Sequence, residues 1–289
     1  MNIGNDTPSP TPFNARQAGW LVAELALLTV VFIVLQSLFY VCYLPFRDKA
    51  DVLLSQVVDV ALWATASLLA AWAVLWFRRC PLRQVGLAWQ GWNTLTRGAA
   101  VALAIYAVGF GLSVAAGWVE VAALHLYPGE LAGTLAYFFF VAFSEEVLFR
   151  GMALGRMLDK GLSPAVALLL SSALFALAHG ANPGIGLLSF VNIALAGALM
   201  GAAYLRQRNL WEPIALHWAW NWLQGPVLGY GVSGITMGSP MLELHLAGSP
   251  LLTGGAFGFE ASLPCTVLLA LALGFLAWRN GSIFCSDKA

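Results

Sequence analysis

Apolar residues run along the chain in eight long blocks, each close to the ~20 residues a helix needs to cross a bilayer. The blocks cover residues 18–45, 52–77, 99–124, 131–157, 163–181, 184–205, 212–228 and 262–279. Short breaks carrying glycine, proline and most of the charge separate them. This pattern predicts an all-α, polytopic membrane bundle of about eight transmembrane helices. Residues 1–16 are polar and read as a disordered cytoplasmic tail. Residues 17–280 read as the membrane domain, and 281–289 as a second cytoplasmic tail. A cleaved signal peptide is disfavoured, because no basic cluster leads the chain and the first apolar block is too long. Segment 78–98 carries Arg78, Arg79, Arg83, Trp89 and Trp92, and is expected to lie on the cytoplasmic surface as a short amphipathic piece. Residues 229–261 are expected to form a glycine-rich outer loop. Gly197 and Gly201 form a GxxxG, a site for close approach of a neighbouring helix. No internal repeat is visible.

The basic residues orient the bundle. With the N-terminus inside, Arg16, Arg78, Arg79, Arg83, Arg97, Arg156, Lys160, Arg206, Arg208, Arg279 and Lys288 fall inside. Only Arg47 and Lys49 fall outside, and Arg150 lies within a block. Eleven against two is a strong positive-inside bias, so both termini are predicted to be cytoplasmic.

Composition agrees: 60% of residues are hydrophobic and 10% are charged, against about a quarter charged in soluble domains. The net charge is zero, which gives no reason to expect a nucleic-acid partner. Cys42, Cys80, Cys265 and Cys285 are scattered without a CxxC pair and read as free thiols rather than a metal site or a disulfide framework.

The fourth block holds Glu145, Glu146 and Arg150 at membrane depth, where each charge is costly and marks function by default. Glu146 and Arg150 are four apart and can pair on one helix face. Glu145 is turned about 100° away and is left free for chemistry. His179 closes the fifth block and lies about as far from the turn at Gly161 as Glu145 does. His217 and Asn221 share a face of the seventh block. Together these residues supply an acid, a base and donors. His217 stands near the start of its block, so its level matches Glu145 only if the 131–181 hairpin projects beyond it or the helices tilt strongly. Glu24 and Asp59 read as structural pairs or as liners of a substrate path, Asn192 as a further candidate cavity liner, His125 as a loop residue beside Tyr127, and His245 as a loop residue near Glu243.

Three patterns in order, Glu145-Glu146-x-x-x-Arg150, Phe175-x-x-x-His179 and His217-x-x-x-Asn221, resemble the motifs of the CAAX protease and bacteriocin-processing (CPBP, or Abi) family of intramembrane endopeptidases. The motif core spans 131–225. The stretch Thr253–Glu260 also resembles bacterial members. The resemblance implies that Glu145 is the general base for a water, held with the help of His179, and that His217 and Asn221 stabilise the oxyanion. Glu146 and Arg150 would fix the helix, and Phe175 would pack beside the histidine. No cofactor is required on this reading. Zinc remains an alternative, with Glu145, His179 and His217 as its ligands. The implied partner is a membrane-anchored protein or peptide substrate in a bilayer, with CAAX-type or leader-type processing, in a bacterial inner membrane. Two other readings stand beside it: a non-catalytic immunity or scaffold protein, and a proton-coupled transporter, against which the lack of repeated halves counts.

Overall fold

The computed structural model describes residues 13–47 and 49–279, so the expected tail at 281–289, most of the one at 1–16, and Cys285 and Lys288 lie outside the described residues. Eight long helices order the described chain. They are α1 (Ala15–Arg47), α2 (Val52–Phe77), α3 (Trp92–Ala115), α4 (Pro128–Asp159), α5 (Pro164–Ala178), α6 (Leu187–Leu205), α7 (Trp211–Trp222) and α8 (Leu263–Arg279). Five of them, α1, α2, α3, α4 and α6, are long and apolar enough to cross a membrane, and α5 and α8 are shorter apolar helices. Large apolar side chains such as Ile33, Val34, Leu169, Leu177 and Leu271 stand exposed on the outside, as a lipid-facing surface requires.

Local chemistry sets the helix ends. The Asp51 carboxylate accepts from the Leu53 and Leu54 amides and starts α2. Ser163 caps α5 from its side chain, with Pro164 in the first turn. Between α4 and α5, Gly161 takes φ +90°, which a side chain would resist.

One expectation is corrected. Residues 119–124 do not extend the third helix. The helix ends at Ala115, and Val119–Leu124 forms a strand, β1, paired antiparallel with β2 (Leu242–Leu246) from the expected loop. Segment 78–98 is a short 3-10 turn at Leu82–Val85, and its last residues already belong to α3. His245 faces Glu120 across the strands at 3.3 Å, while His125 stacks on Tyr127 and lies 3.3 Å from Glu243. The histidine nearest Glu243 is therefore His125.

The helices pack through two main cores. Leu21, Leu28, Val74, Leu75, Leu154, Leu168, Tyr204 and Ile214 join α1, α2, α4, α5, α6 and α7. Ile105, Tyr106, Leu199, Leu216, Trp220, Phe259 and Leu269 join α3, α6, α7 and α8. Buried Glu24 meets Arg78 (2.9 Å), Arg156 (3.0 Å) and Lys160 (2.7 Å), so one acid ties α1, α2 and α4 together. Asp59 pairs with Arg47 at 3.2 Å. Of the two readings offered for these acids, the ion pairs fit the structural one, and neither acid lines the cavity described below.

The GxxxG of α6 packs on α5. A Cβ on Gly197 would meet Ser172 Cα at 3.3 Å, and one on Gly201 would run into Leu168. Gly201→Leu is therefore expected to cost ~1–3 kcal/mol through overpacking, read as a lower midpoint of thermal unfolding in detergent. An unchanged midpoint would mean that the α5–α6 contact is looser than drawn.

Candidate active site

The site lies where α4, α5 and α7 meet. At Val147 the α-helical part of α4 passes into a π-helical stretch, Val147–Leu154, a rare geometry that often occurs at functional sites. Glu145 and Glu146 sit just before it. A cavity of about 440 Å³ opens there, lined by Glu145, His179, His217 and Asn221 among others.

The level problem posed by His217 is resolved by α4 outrunning α7. A Cβ on Gly151 would lie 3.2 Å from Leu210, the residue just before α7. From that level α4 continues for eight residues to Asp159, whose carboxylate takes a bond from Arg208. The end of α4 therefore projects beyond the start of α7. This offset brings Glu145 level with a histidine in the second turn of α7. Two indole donors fix the register between the helices: Trp218 Nε1 to Leu135 O (2.8 Å) and Trp222 Nε1 to Leu131 O (3.1 Å).

Glu145 Oε2 is 3.8 Å from His179 Nε2 and 3.8 Å from His217 Nε2. That oxygen is buried and takes no hydrogen bond from the described residues. His179 Nδ1 lies 2.8 Å from Phe175 O, an acceptor only, so Nδ1 carries the proton and Nε2 faces the acid. His217 Nδ1 likewise donates to Glu146 Oε1 at 2.9 Å. Both rings are therefore held from behind and present Nε2 to one carboxylate oxygen.

Behind the cavity, Arg150 Nη1 donates to Glu146 Oε1 at 2.7 Å, and Arg150 Nη2 donates to Gly197 O at 3.1 Å. The guanidinium lies 4.3 Å from the Phe175 ring centroid, and that ring packs against both His179 (4.6 Å) and His217 (5.9 Å). Glu146 and Arg150 are buried behind the cavity wall and do not line it. The sequence points to this pair on the helix, and the structure adds the contact of Glu146 with His217 Nδ1. All seven expected residues meet here, with Asn221 buried one turn beyond His217 on the cavity wall.

One expected liner is elsewhere. Asn192 donates to Glu260 O (2.7 Å) and Ser262 O (2.9 Å) and accepts from Thr266 Oγ1 (2.7 Å), tying α6 to α8. Tyr137, Asn182, Ser233 and Glu260 line the cavity without having been singled out as site residues. Only Glu260 left a signal, as the end of the Thr253–Glu260 stretch.

Zinc held at ~2.0–2.1 Å would place tetrahedral ligand atoms ~3.3–3.4 Å apart. The two O···N separations here are 3.8 Å. Among the described residues, no group of three His, Cys, Asp or Glu side chains is arranged to hold a metal ion. Both separations are wider than that tetrahedral set. The same spacing suits a water bridging carboxylate and imidazole at ordinary ~2.8 Å hydrogen-bond lengths.

Three motifs on three helices, in the expected order, thus converge on one cavity. Residues 127–223 match the family model described as type II CAAX prenyl endopeptidase Rce1-like. The CAAX endopeptidase match covers about a third of the chain and contains every one of the seven motif residues. It is the family that the motifs resemble. No curated protein and no solved structure matches the chain. With its apolar helices, the CAAX endopeptidase match points to an integral membrane protein and to CAAX-type protease activity.

Proposed function

We propose that the chain is an intramembrane endopeptidase that hydrolyses a peptide bond in a membrane-associated protein or peptide, with Glu145 as general base. The observation that carries this reading is Glu145 Oε2, buried, without a hydrogen-bond partner among the described residues, and faced by two histidines that are each held through Nδ1. Glu145 takes a proton from a water held between it and His179, and the hydroxide attacks the scissile carbonyl carbon. The carbonyl oxygen becomes an oxyanion, to which His217 Nε2 and the Asn221 amide donate. For His217 to donate there while Nδ1 stays on Glu146, both ring nitrogens must carry protons. Glu146 Oε1 accepts from Nδ1 in either form of the ring. Collapse of the tetrahedral intermediate expels the amine, which takes the proton back from Glu145.

The metal-free route is favoured by the donor spacing. Eight spans with both termini cytoplasmic, in a bacterial inner membrane, complete the reading, supported by the eleven-to-two distribution of basic residues. On this orientation the end of α4 extends toward the cytoplasm, and the cavity lies in the cytoplasmic half of the bilayer.

Purified protein incubated with a farnesylated C-terminal peptide, with and without a chelator, tests both substrate class and mechanism. Cleavage on the carboxyl side of the prenylated cysteine, unchanged by chelation, is expected. Activity lost to the chelator and restored by zinc would overturn the metal-free mechanism. Cleavage of leader-type peptides alone would overturn the prenyl substrate while keeping the protease.

A further inference from the structure

Part of the cavity wall is a tight turn that the catalytic reading does not use. Val232 and Ile235 exchange backbone hydrogen bonds of 2.8 and 2.9 Å, and the two residues between them, Ser233 and Gly234, take φ +49° and +83°. Two successive positive φ values mark a type I′ turn. At Ser233 such a conformation is strained and persists only where neighbours hold it.

Those neighbours are specific. The Ser233 carbonyl accepts from Asn182 Nδ2 at 3.0 Å, and the Gly234 amide donates to Phe257 O at 3.0 Å. The Ser233 amide and hydroxyl both donate to Glu260 Oε2, at 3.0 and 2.8 Å. The other oxygen of the same carboxylate, Oε1, accepts from Trp220 Nε1 at 2.9 Å. Trp220 lies on α7 between His217 and Asn221. Glu260 is buried, and three protein donors hold its carboxylate. It reaches this position because Gly258 takes φ +105°, where a Cβ would collide with Gly231 O.

We propose that Glu260 is a positioning residue that locks the 232–235 turn as a cap over the cavity, fixes the His217/Asn221 face of α7 against it, and so limits which peptide segments reach Glu145. Its part in substrate selection rests on the proteolytic reading, whereas the cap itself does not.

The test uses the full chain in detergent with its four native cysteines replaced by alanine and Ala196→Cys introduced as a probe. Ala196 is buried and lines the cavity. Loss of charge-assisted bonds raises cap opening, so Glu260→Ala should speed maleimide modification of the probe by about tenfold or more. Glu260→Gln, which keeps an acceptor oxygen, should restore much of the protection. Trp220→Phe and Ser233→Ala each remove one donor and should give intermediate rates, which carries the test if Glu260→Ala does not fold. Wild-type modification rates in all folded variants would overturn the cap, whether or not the protein cleaves anything. Where wild type cleaves a peptide pool, Glu260→Ala should add new cleavage positions. Faster modification with an unchanged set of positions would overturn the role in selection while leaving the protease reading intact.

Discussion

Glu145→Gln is expected to reduce peptide-bond cleavage by ~10²–10⁴-fold, the range for removing a general base, while the protein stays folded and at wild-type abundance. The reason lies in what surrounds each carboxylate. Glu145 Oε2 takes no bond from the described residues, so an amide there breaks no packing contact and leaves no charge stranded. The glutamine nitrogen cannot accept a proton, and the water loses its base. His179→Ala should show the same split, with activity lost and fold retained, because the ring is held mainly by its own helix through Phe175 O. Abundance and thermal midpoint in detergent, measured beside activity, distinguish these losses from unfolding. An active Glu145→Gln enzyme would end the general-base assignment.

Arg150→Ala is expected to act in the opposite order, with folded protein lost first and activity lost as a consequence. It strands Glu146 in the core without its cation, removes the bond to Gly197 O, and leaves the face of Phe175 unsupported. Breaking a buried pair in this way costs ~3–5 kcal/mol. That is a large share of the 5–15 kcal/mol typical of a domain. Glu146→Ala should be comparably destabilising, with the added effect that His217 loses the acceptor holding its Nδ1. Arg150→Lys is expected to rescue only in part, since a lysine point charge cannot reproduce the two directed guanidinium bonds. If Glu145→Gln and Arg150→Ala reduced folded protein equally, the cluster would be structural throughout.

Local spacing carried much of this arrangement. Residues four apart on a helix share a face, which is enough to pair Glu146 with Arg150 and to leave Glu145 free. Membrane cost then singled out the same residues. Relations between helices were harder to read. The start of α7 is offset from the end of α4, and that offset depends on the close contact of Gly151 with Leu210, two residues distant in sequence. The β1–β2 pairing was hidden for a related reason: Val119–Leu124 continues an apolar stretch, and its partner strand lies more than a hundred residues away. The role of Glu260 was beyond local pattern as well. A carboxylate in a glycine-rich loop gives no sign that Trp220 and Ser233 will both donate to it. Helix periodicity reports which face a residue occupies, and it is silent on which distant backbone will meet that face.

The most direct test of the central claim compares membranes carrying the wild type with membranes carrying Glu145→Gln at equal abundance, mapping new protein termini by mass spectrometry in both. Termini present with the wild type and missing with the variant are predicted, and they would name the substrate in the same measurement. Identical termini in the two samples, with the variant folded, would contradict proteolysis by Glu145.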